Sequence, residues 1–493
     1  MRGLHRFLLC PALLVVATNI SPESAFPSIN STSFDAGDYG AYPNRTYRTR
    51  ADIISPRLNI LQADPQCDDG LYTMISLRGD RVHITGQSPM IHDARGNLVW
   101  MNASYGETFG LNMQRYKGVD YLTFWQGDDS VGGHGEGAYI LLDSQYKEAF
   151  RISAGDGHPG DLHEFHITPS GTALVTQYIL KEAPIIYRQR SRKGWIWDSV
   201  IQEINIETNE ILFEWHASDH YGTEESYLPP GTMGLRKDHA YDFFHVNSID
   251  KDGVEVVREY VNPRKIISAS QGNMQVLENG NVVVGYGYNA AWTEYSAEGK
   301  VLCDVHIGSQ KAFNTGAVQT YKVLKHAWTG KPDSVPDVKV VKNKVYVSWN
   351  GATEVKRWIL EGSRSERGKI GKEGFQVVFE VEKTGFETKI LFHKRAWCWV
   401  RVVAVDGEGV RLRNSEIWTT GTDCEDTIDP SDTGETIEEE PEDENLLLPS
   451  KFAFQLIVLA GFAIGGLELC RRQFLKRTFS GVAYRVLPLQ NQG

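Results

Sequence analysis

The chain has 493 residues and a formal net charge of −12, a length that allows more than one domain and a large core. Residues 423–444 hold twelve acidic residues and no Lys or Arg, so the charges of the rest of the chain sum to zero. A balanced surface has no basic field for nucleic acid, and nucleic-acid binding is therefore excluded as an expected function.

The amino terminus has the pattern of a signal peptide. Arg2 and Arg6 precede an apolar run at residues 7–17, which has the length of a signal-peptide core and is too short to span a membrane. We predict a signal peptide at residues 1–25 and, from the polar, turn-rich composition that follows, a flexible leader at residues 26–52.

Residues 53–330 contain two alternating hairpin patterns. In the first, a glycine closes a turn eight positions after His163, His245 and Gly272. In the second, an apolar strand, an Asp–Gly turn and a strand ending in Trp follow one another, as in IHDARGNLVW at 91–100. Short β-branched and aromatic runs without a helical period predict an all-β fold. Two hairpin types that alternate at intervals of tens of residues are typical of a β-propeller.

His163 and His245 are the candidate catalytic residues, because both begin equivalent hairpins. In a propeller, residues at the head of the innermost strands of different blades point towards one central channel. Imidazole can act as a nucleophile or proton donor near neutral pH. The alternative is an ordinary hydrogen-bonding role beside a turn. His166 lies three positions after His163 and is expected on the opposite face of its strand, in a structural role.

The remaining histidines and carboxylates show no tight ligand spacing. The sequence therefore predicts neither a metal site nor a cofactor.

The carboxy-terminal part has three further segments. Period-two strands such as VYVSWN at 345–350 and WCWVRVVAVDG at 397–407 predict a fibronectin type III-like β-sandwich at residues 331–420. An acidic linker at 421–450 leads to an apolar transmembrane helix at 451–470, and the basic residues of the tail at 471–493 should stay in the cytosol. The chain is thus predicted to be a single-pass type I membrane protein of the secretory pathway or cell surface.

The secretory prediction bears on glycans and disulfides. Asn30, Asn44 and Asn102 begin glycosylation sequons. Four cysteines outside the signal and the membrane edge allow three pairings, and an oxidising compartment would permit them. We favour Cys67–Cys303 and Cys398–Cys424, with free buried thiols as the alternative.

Several long segments resemble the fungal, membrane-anchored arylsulfotransferase-like proteins. They are GHPGDLHEFH at 157–166, QEINIET at 202–208, FEWHASDH at 213–220, DFFHVNSID at 242–250 and GYGYNAAWTE at 285–294. The resemblance covers most of residues 53–340. It implies a six-bladed propeller related to the bacterial arylsulfate sulfotransferases, which move a sulfuryl group from a phenolic donor to a phenolic acceptor without a nucleotide sulfate.

The sequence departs from the family after Gly253, which runs directly into VEVVREY. About two blades are missing there, including the family's positions for a catalytic arginine and for the histidine that becomes sulfated. The resemblance therefore implies two functions: an aryl sulfotransferase that uses His163 and His245, or a non-catalytic, membrane-anchored binding or adhesion ectodomain. A chain with an open propeller edge could also fold poorly.

Overall fold

The computed structural model describes residues 29–131, 133–249, 258–364, 374–392 and 397–420. These residues are all-β, with only short helical elements. The chain divides into two units, Met1–Asp432 and Thr433–Gly493, and the described residues all belong to the first. The predicted signal peptide, acidic linker, membrane helix and tail lie outside the described residues. Within the described ranges, no helix has the length and apolar character needed to cross a membrane.

The amino-terminal elements contribute to three different sheets. They are α1 (Ser31–Asp35), β1 (Asn44–Thr46), β2 (Ile54–Pro56), β3 (Asn59–Gln62), β4 (Tyr72–Arg78), β5 (Pro89–His92) and β6 (Leu98–Met101). β1 and β2 pair with each other, and β4, β5 and β6 form an antiparallel meander. The β5–β6 hairpin is the predicted turn pattern at residues 91–100.

The segment predicted as a flexible leader differs from that expectation where it is described. Phe34, Tyr42 and Tyr47 are each at most 6% exposed, and Tyr42 and Tyr47 pack in a core with Ile75 and Leu77. The polar, turn-rich composition concealed these widely spaced aromatic anchors, whose burial holds the segment in place.

The next four strands form a meander in chain order. They are β7 (Thr108–Tyr116), β8 (Val119–Val131), β9 (His134–Leu142) and β10 (Glu148–Ile152). Each pairs antiparallel with the one before it, which is the arrangement of a propeller blade. We call this group sheet 2.

Sheet 3 follows, and it carries a long hairpin. Its elements are β11 (Phe165–Ile167), β12 (Thr172–Tyr187), β13 (Arg190–Asn205), β14 (Ile211–His216), helix α2 (Ala217–His220) and β15 (Tyr241–Asp242). The strands β11 to β14 pair antiparallel in chain order. β15 instead pairs parallel with β13, with Trp197 opposite Asp242.

Two sheets combine strands from distant parts of the chain. The later strands are β16 (Asn273–Val276), β17 (Val282–Gly285), β18 (Ala291–Tyr295), β19 (Val301–His306) and β20 (Gln319–His326). β3 adds to β19 and completes sheet 4 (β16–β19 and β3), and β20 adds to β4 and completes sheet 1 (β20 and β4–β6). The β16–β17 hairpin is the one predicted after Gly272.

The four sheets pack face to face in a row. Sheets 4 and 1 share a core that includes Val283 and Ile75, and sheets 1 and 2 share one that includes Met74 and Phe124. Sheets 2 and 3 share a third core, around Trp125. Among the described residues, no buried cluster joins sheet 3 to sheet 4. Residues 250–257, around which the sequence resemblance predicts missing blades, lie outside the described residues.

The predicted disulfide between Cys67 and Cys303 is confirmed. It links the segment between β3 and β4 to β19 of sheet 4, and so fastens the neighbouring sheets 4 and 1 together. Cys398 is also disulfide-bonded, and Cys424, its predicted partner, lies outside the described residues.

The last strands form two sheets around one core. They are β21 (Asp337–Val341), β22 (Lys344–Ser348), β23 (Arg357–Ser363), β24 (Gln376–Glu382), β25 (Glu387–Leu391), β26 (Trp399–Val405), β27 (Arg411–Asn414) and β28 (Trp418–Thr419). β21, β22 and β25 form one sheet and the others the second. Val347 and Trp358, from opposite sheets, pack in the shared core, as in a β-sandwich.

The sandwich also contacts the earlier part of the chain. The hydroxyl of Tyr146 donates to the carbonyl oxygen of Gly351 at 2.7 Å, and the side-chain amide of Asn350 donates to the carbonyl oxygen of Met101 at 2.9 Å. These bonds anchor the sandwich to sheets 1 and 2.

Replacing Cys67 and Cys303 together by Ala should lower the free energy of unfolding by about 2–4 kcal/mol, because the bridge joins residues 236 positions apart. Urea unfolding followed by tryptophan fluorescence measures this loss. Each single Cys→Ala variant should lose as much as the double variant, since either change removes the cross-link. Single losses that add up to the double loss would contradict a cross-link in solution.

Candidate functional site

His163 and His245 meet at the edge of sheet 3. Their Nε2 atoms are 3.2 Å apart, and their rings are perpendicular, with centroids 4.8 Å apart. His163 is 6% exposed, whereas the side chain of His245 is 34% exposed. The structure therefore brings together the two histidines predicted from the sequence, one buried and one open to solvent. His166 is exposed, in β11, away from the pair.

A buried carboxylate orients His163. Asp161 is fully buried, and its Oδ2 lies 2.6 Å from Nδ1 of His163. The same carboxylate accepts hydrogen bonds from the Gly135 N–H at 2.9 Å and from the Thr176 hydroxyl at 3.0 Å. Burial alone would raise the pKa of Asp161, but the hydrogen bond and charge of His163 and the backbone donors outweigh it, so the pKa lies below its usual value. The anion holds the proton on Nδ1, which leaves Nε2 as the acceptor towards His245.

His245 is held differently from the sequence prediction. It follows β15 in a described segment, residues 243–249, that has no strand structure. The expected second strand falls on residues 250–257, outside the described residues. The hydroxyl of Ser199 donates to the carbonyl oxygen of Phe244. The hydroxyl of Tyr178 donates to the carbonyl oxygen of Val246 at 2.9 Å and accepts its N–H at 2.8 Å. Because Tyr178 and Ser199 are register partners in the β12–β13 hairpin, this hairpin fixes the backbone on both sides of His245.

Asp242 completes the second aspartate–histidine pair. Its Oδ2 lies 2.6 Å from Nδ1 of His245. Burial lowers the pKa of His245, but the hydrogen bond and charge of Asp242, with the charge of Asp161, outweigh burial and raise the pKa above its usual value. His245 is thus more readily protonated than an ordinary histidine, and its Nε2–H can donate to Nε2 of His163.

A third histidine, His134, lies in the same site and was missed by the sequence analysis. Its side chain is 2% exposed, and its Nε2 lies 3.6 Å from Oδ2 of Asp242. The ring stacks on Tyr178 at 3.8 Å between centroids and lies 5.3 Å from the ring of His245. Burial lowers the pKa of His134 to about 4, which keeps the ring neutral. His134 begins β9 and belongs to neither hairpin pattern. The repeated turn pattern that identified His163 and His245 therefore did not identify it.

A cavity of about 540 Å³ opens beside His163. Six aromatic side chains and several polar ones line it, together with the cation Lys322 and the anion Glu164. The aromatic residues are Phe109, Phe124, Trp125, Tyr139, Phe165 and Tyr321. Nζ of Lys322 lies 3.7 Å from a carboxylate oxygen of Glu164 and 3.4 Å from the carbonyl oxygen of His163. The aromatic side chains suit a planar ring, and Lys322, whose charge Glu164 partly offsets, is the cation in this lining available to an anionic group.

Changing Asp242 to Asn should lower the pKa of His245, because burial is then opposed only by the more distant Asp161. NMR titration of the histidine ring protons measures the shift, and the exposed His166 serves as the internal control. In the native protein the raised pKa stabilises the fold below the unfolded histidine pKa of about 6.5, and that contribution is lost as pH rises through the folded value. An unchanged pKa for His245 in the variant would contradict the pairing.

Comparisons with known proteins relate part of the chain to one family. Residues 112–257 match the family model described as arylsulfotransferase (ASST). No curated protein matches the chain.

Solved structures that resemble the chain do so at low identity. They include a protein of unknown function from Bacteroides caccae, 13% identical over 65% of this chain and 94% of that one, with a TM-score of 0.20. A GH43_12 protein from a capybara gut metagenome is 9% identical over 73% and 90%, with a TM-score of 0.23. The Dos1 propeller is 10% identical over 75% and 83%, with a TM-score of 0.17. Scores at this level support no conclusion about function. The family match, in contrast, relates the part of the chain that carries His134, His163 and His245 to the arylsulfotransferases.

Proposed function

We propose that the chain is a nucleotide-independent aryl sulfotransferase, which transfers a sulfuryl group from an aryl sulfate ester to a phenol. The observation that carries the proposal is the 3.2 Å contact between Nε2 of His163 and Nε2 of His245, beside a cavity that His163 and six aromatic residues help to line. Both histidines lie in the segment that matches the arylsulfotransferase model.

In the first step, Nε2 of His163 attacks the sulfur of the donor. The nitrogen–sulfur bond forms while the bond between sulfur and the aryl oxygen breaks. The leaving phenolate would be a poor leaving group, since phenols have a pKa near 10. His245 therefore gives it the proton of Nε2. Asp161, an anion at 2.6 Å from Nδ1 of His163, stabilises the positive charge that the substituted ring acquires.

In the second step, the acceptor phenol gives its proton to Nε2 of His245, which the first step left neutral. The acceptor oxygen attacks the sulfur, and the sulfur–nitrogen bond to His163 breaks. Both histidines return to their starting protonation states, so the cycle needs no added acid, base or nucleotide.

Lys322 is our candidate for the cation that holds the sulfuryl oxygens. It lines the same cavity as His163, and its distance to Glu164 is too long for a strong ion pair. A cation in this place stabilises the negative charge of the group in transfer. It would take the role of the arginine that the resemblance locates in the missing segment.

The proposal includes the fold that the sequence suggested. The four-sheet row has the blade-like meanders of a propeller, and the junction between sheets 3 and 4 is where two further blades would stand. The type I membrane location is part of the same proposal, and the predicted signal and membrane helix that would carry it lie outside the described residues.

A second candidate function is a non-catalytic, membrane-anchored binding or adhesion ectodomain. The feature that favours it is the junction between sheets 3 and 4, which shares no buried cluster among the described residues. An incomplete channel would hold substrates less well, and activity depends on positioning.

The purified ectodomain, incubated with an aryl sulfate donor and a phenol acceptor, should form the sulfated acceptor. His163→Ala and His245→Ala should each reduce kcat by about 10²–10⁴-fold, the range expected for loss of a nucleophile or a general acid. His166→Ala, at an exposed position in the adjoining strand, is the matched control and should stay within about twofold of the native rate. A folded ectodomain that transfers no sulfate would refute the enzymatic function and favour the binding ectodomain.

Lys322→Ala should lower kcat/KM by about 10–100-fold, because the removed cation stabilises the transferring group. Lys322→Arg should recover part of this loss, since it restores the positive charge. Lys117→Ala, at an exposed surface position, is the control for general loss of charge. Equal rates for Lys322→Ala and the native protein would remove Lys322 from the site.

A further inference from the structure

We propose that His134, Asp242 and His245 form a binding site for a first-row divalent transition metal ion, with Zn²⁺ as the simplest occupant. One ligand atom from each residue lies within 4.8 Å of the other two. The three residues come from β9, from β15 and from the segment that follows β15. Because His134 is far from the other two in the chain, the sequence does not show the short ligand spacing of a metal motif. This inference goes beyond the transferase function and does not depend on it.

His134 is the buried member of the set. The side chain is 2% exposed, and neither ring nitrogen has a hydrogen-bond partner among the described residues. Oδ1 of Asp242 is likewise buried without a partner in that part of the chain. Buried polar groups are normally paired, because leaving them unpaired costs free energy. A bound ion would satisfy a lone pair of the ring and a carboxylate oxygen at the same time.

Asp242 lies close to both histidines of the set. Its Oδ2 lies 3.6 Å from Nε2 of His134 and 2.6 Å from Nδ1 of His245. Ligands about 2.0–2.1 Å from a tetrahedral zinc ion stand about 3.3 Å from each other. The first distance already fits, and the second needs to widen by less than about 1 Å when an ion replaces the shared proton. Nε2 of His245 would still face His163.

Aromatic side chains pack against the ring of His134. Tyr178 stacks on His134 at 3.8 Å, and Trp197 lies against it with centroids 5.3 Å apart. Asp242 is fixed by its pairing with Trp197 in β13. Ligands held by such packing are already oriented, so binding orders few side chains.

The donor set decides the class of metal. Two imidazoles and one carboxylate suit Zn²⁺, and also Fe²⁺, whereas Mg²⁺ and Ca²⁺ prefer sites built from oxygen. Three protein ligands leave at least one position open, as in catalytic zinc sites. That position could take water or an oxygen of an anionic ligand.

Metal binding by the full ectodomain tests the proposal. After treatment with a chelator and dialysis, titration with Zn²⁺ in a calorimeter should give one equivalent per chain, and Co²⁺ should give the visible absorption of a site with nitrogen ligands. His134→Gln and Asp242→Asn should each weaken Zn²⁺ binding by at least about 10-fold. Mg²⁺ should not compete, and an anaerobic titration with Fe²⁺ decides between the two candidate ions.

Two further variants make the result specific. His163→Ala and His166→Ala should both bind Zn²⁺ with nearly the native affinity, because neither residue is in the ligand set. Failure of the native, folded ectodomain to bind Zn²⁺ or Fe²⁺ would overturn the proposal, as would equal binding by the native protein, His134→Gln and Asp242→Asn. Circular dichroism identifies any variant that fails to fold, and Asp242→Asn, at a partly exposed position, then decides alone.

The metal site and the transferase function can fail separately. Sulfuryl transfer is measured on the chelated protein and on the Zn²⁺-loaded protein. Zn²⁺ binding without transfer in either state leaves the metal site standing and refutes the transferase. Transfer by a chelated protein that binds no added metal supports the transferase and refutes the metal site.

Discussion

The buried carboxylate of Asp161 is the interaction on which the rest of the site depends. It accepts a backbone N–H from β9 of sheet 2 and a hydroxyl from β12 of sheet 3, and it thus joins two neighbouring sheets. The same group fixes the orientation of the His163 ring. An unpaired charge at this depth would be costly, so these hydrogen bonds and the one from the His163 backbone N–H to Asp161 also make this arrangement of the two sheets the favourable one.

Three histidines occupy one site in three different electrostatic environments. His134 is buried without a hydrogen-bond partner in the described part of the chain and is neutral. His163 is tied to a buried anion, and His245 is more open, with a pKa raised by Asp242 and Asp161 despite its partial burial. Differences of this kind are what allow chemically identical groups to act as acceptor, donor and metal ligand. The proposed transferase uses His163 and His245, and the proposed metal site uses His134, Asp242 and His245. The two sites therefore share only His245 and the carboxylate of Asp242 that pairs with it.

The sequence predicted those features that local patterns encode. The hairpins at residues 91–100 and after Gly272 follow from strand alternation and turn residues, and His163 and His245 stood out because a turn pattern repeats around them. Long-range features were less accessible. His134 and Asp242 come together only because β9 and β15 lie close to each other in the fold. No local sequence pattern predicts that tertiary contact. The leader was misjudged because three spaced aromatic side chains, not its overall composition, decide its packing.

The central claim is that Nε2 of His163 accepts the sulfuryl group. Mass spectrometry of the ectodomain, mixed with an aryl sulfate donor alone and quenched at alkaline pH before digestion, tests this claim most directly. We expect a mass increase of one sulfuryl group on the peptide that contains His163, and no such increase after addition of a phenol acceptor. An adduct on a different residue, or transfer to the phenol without any adduct, would contradict it.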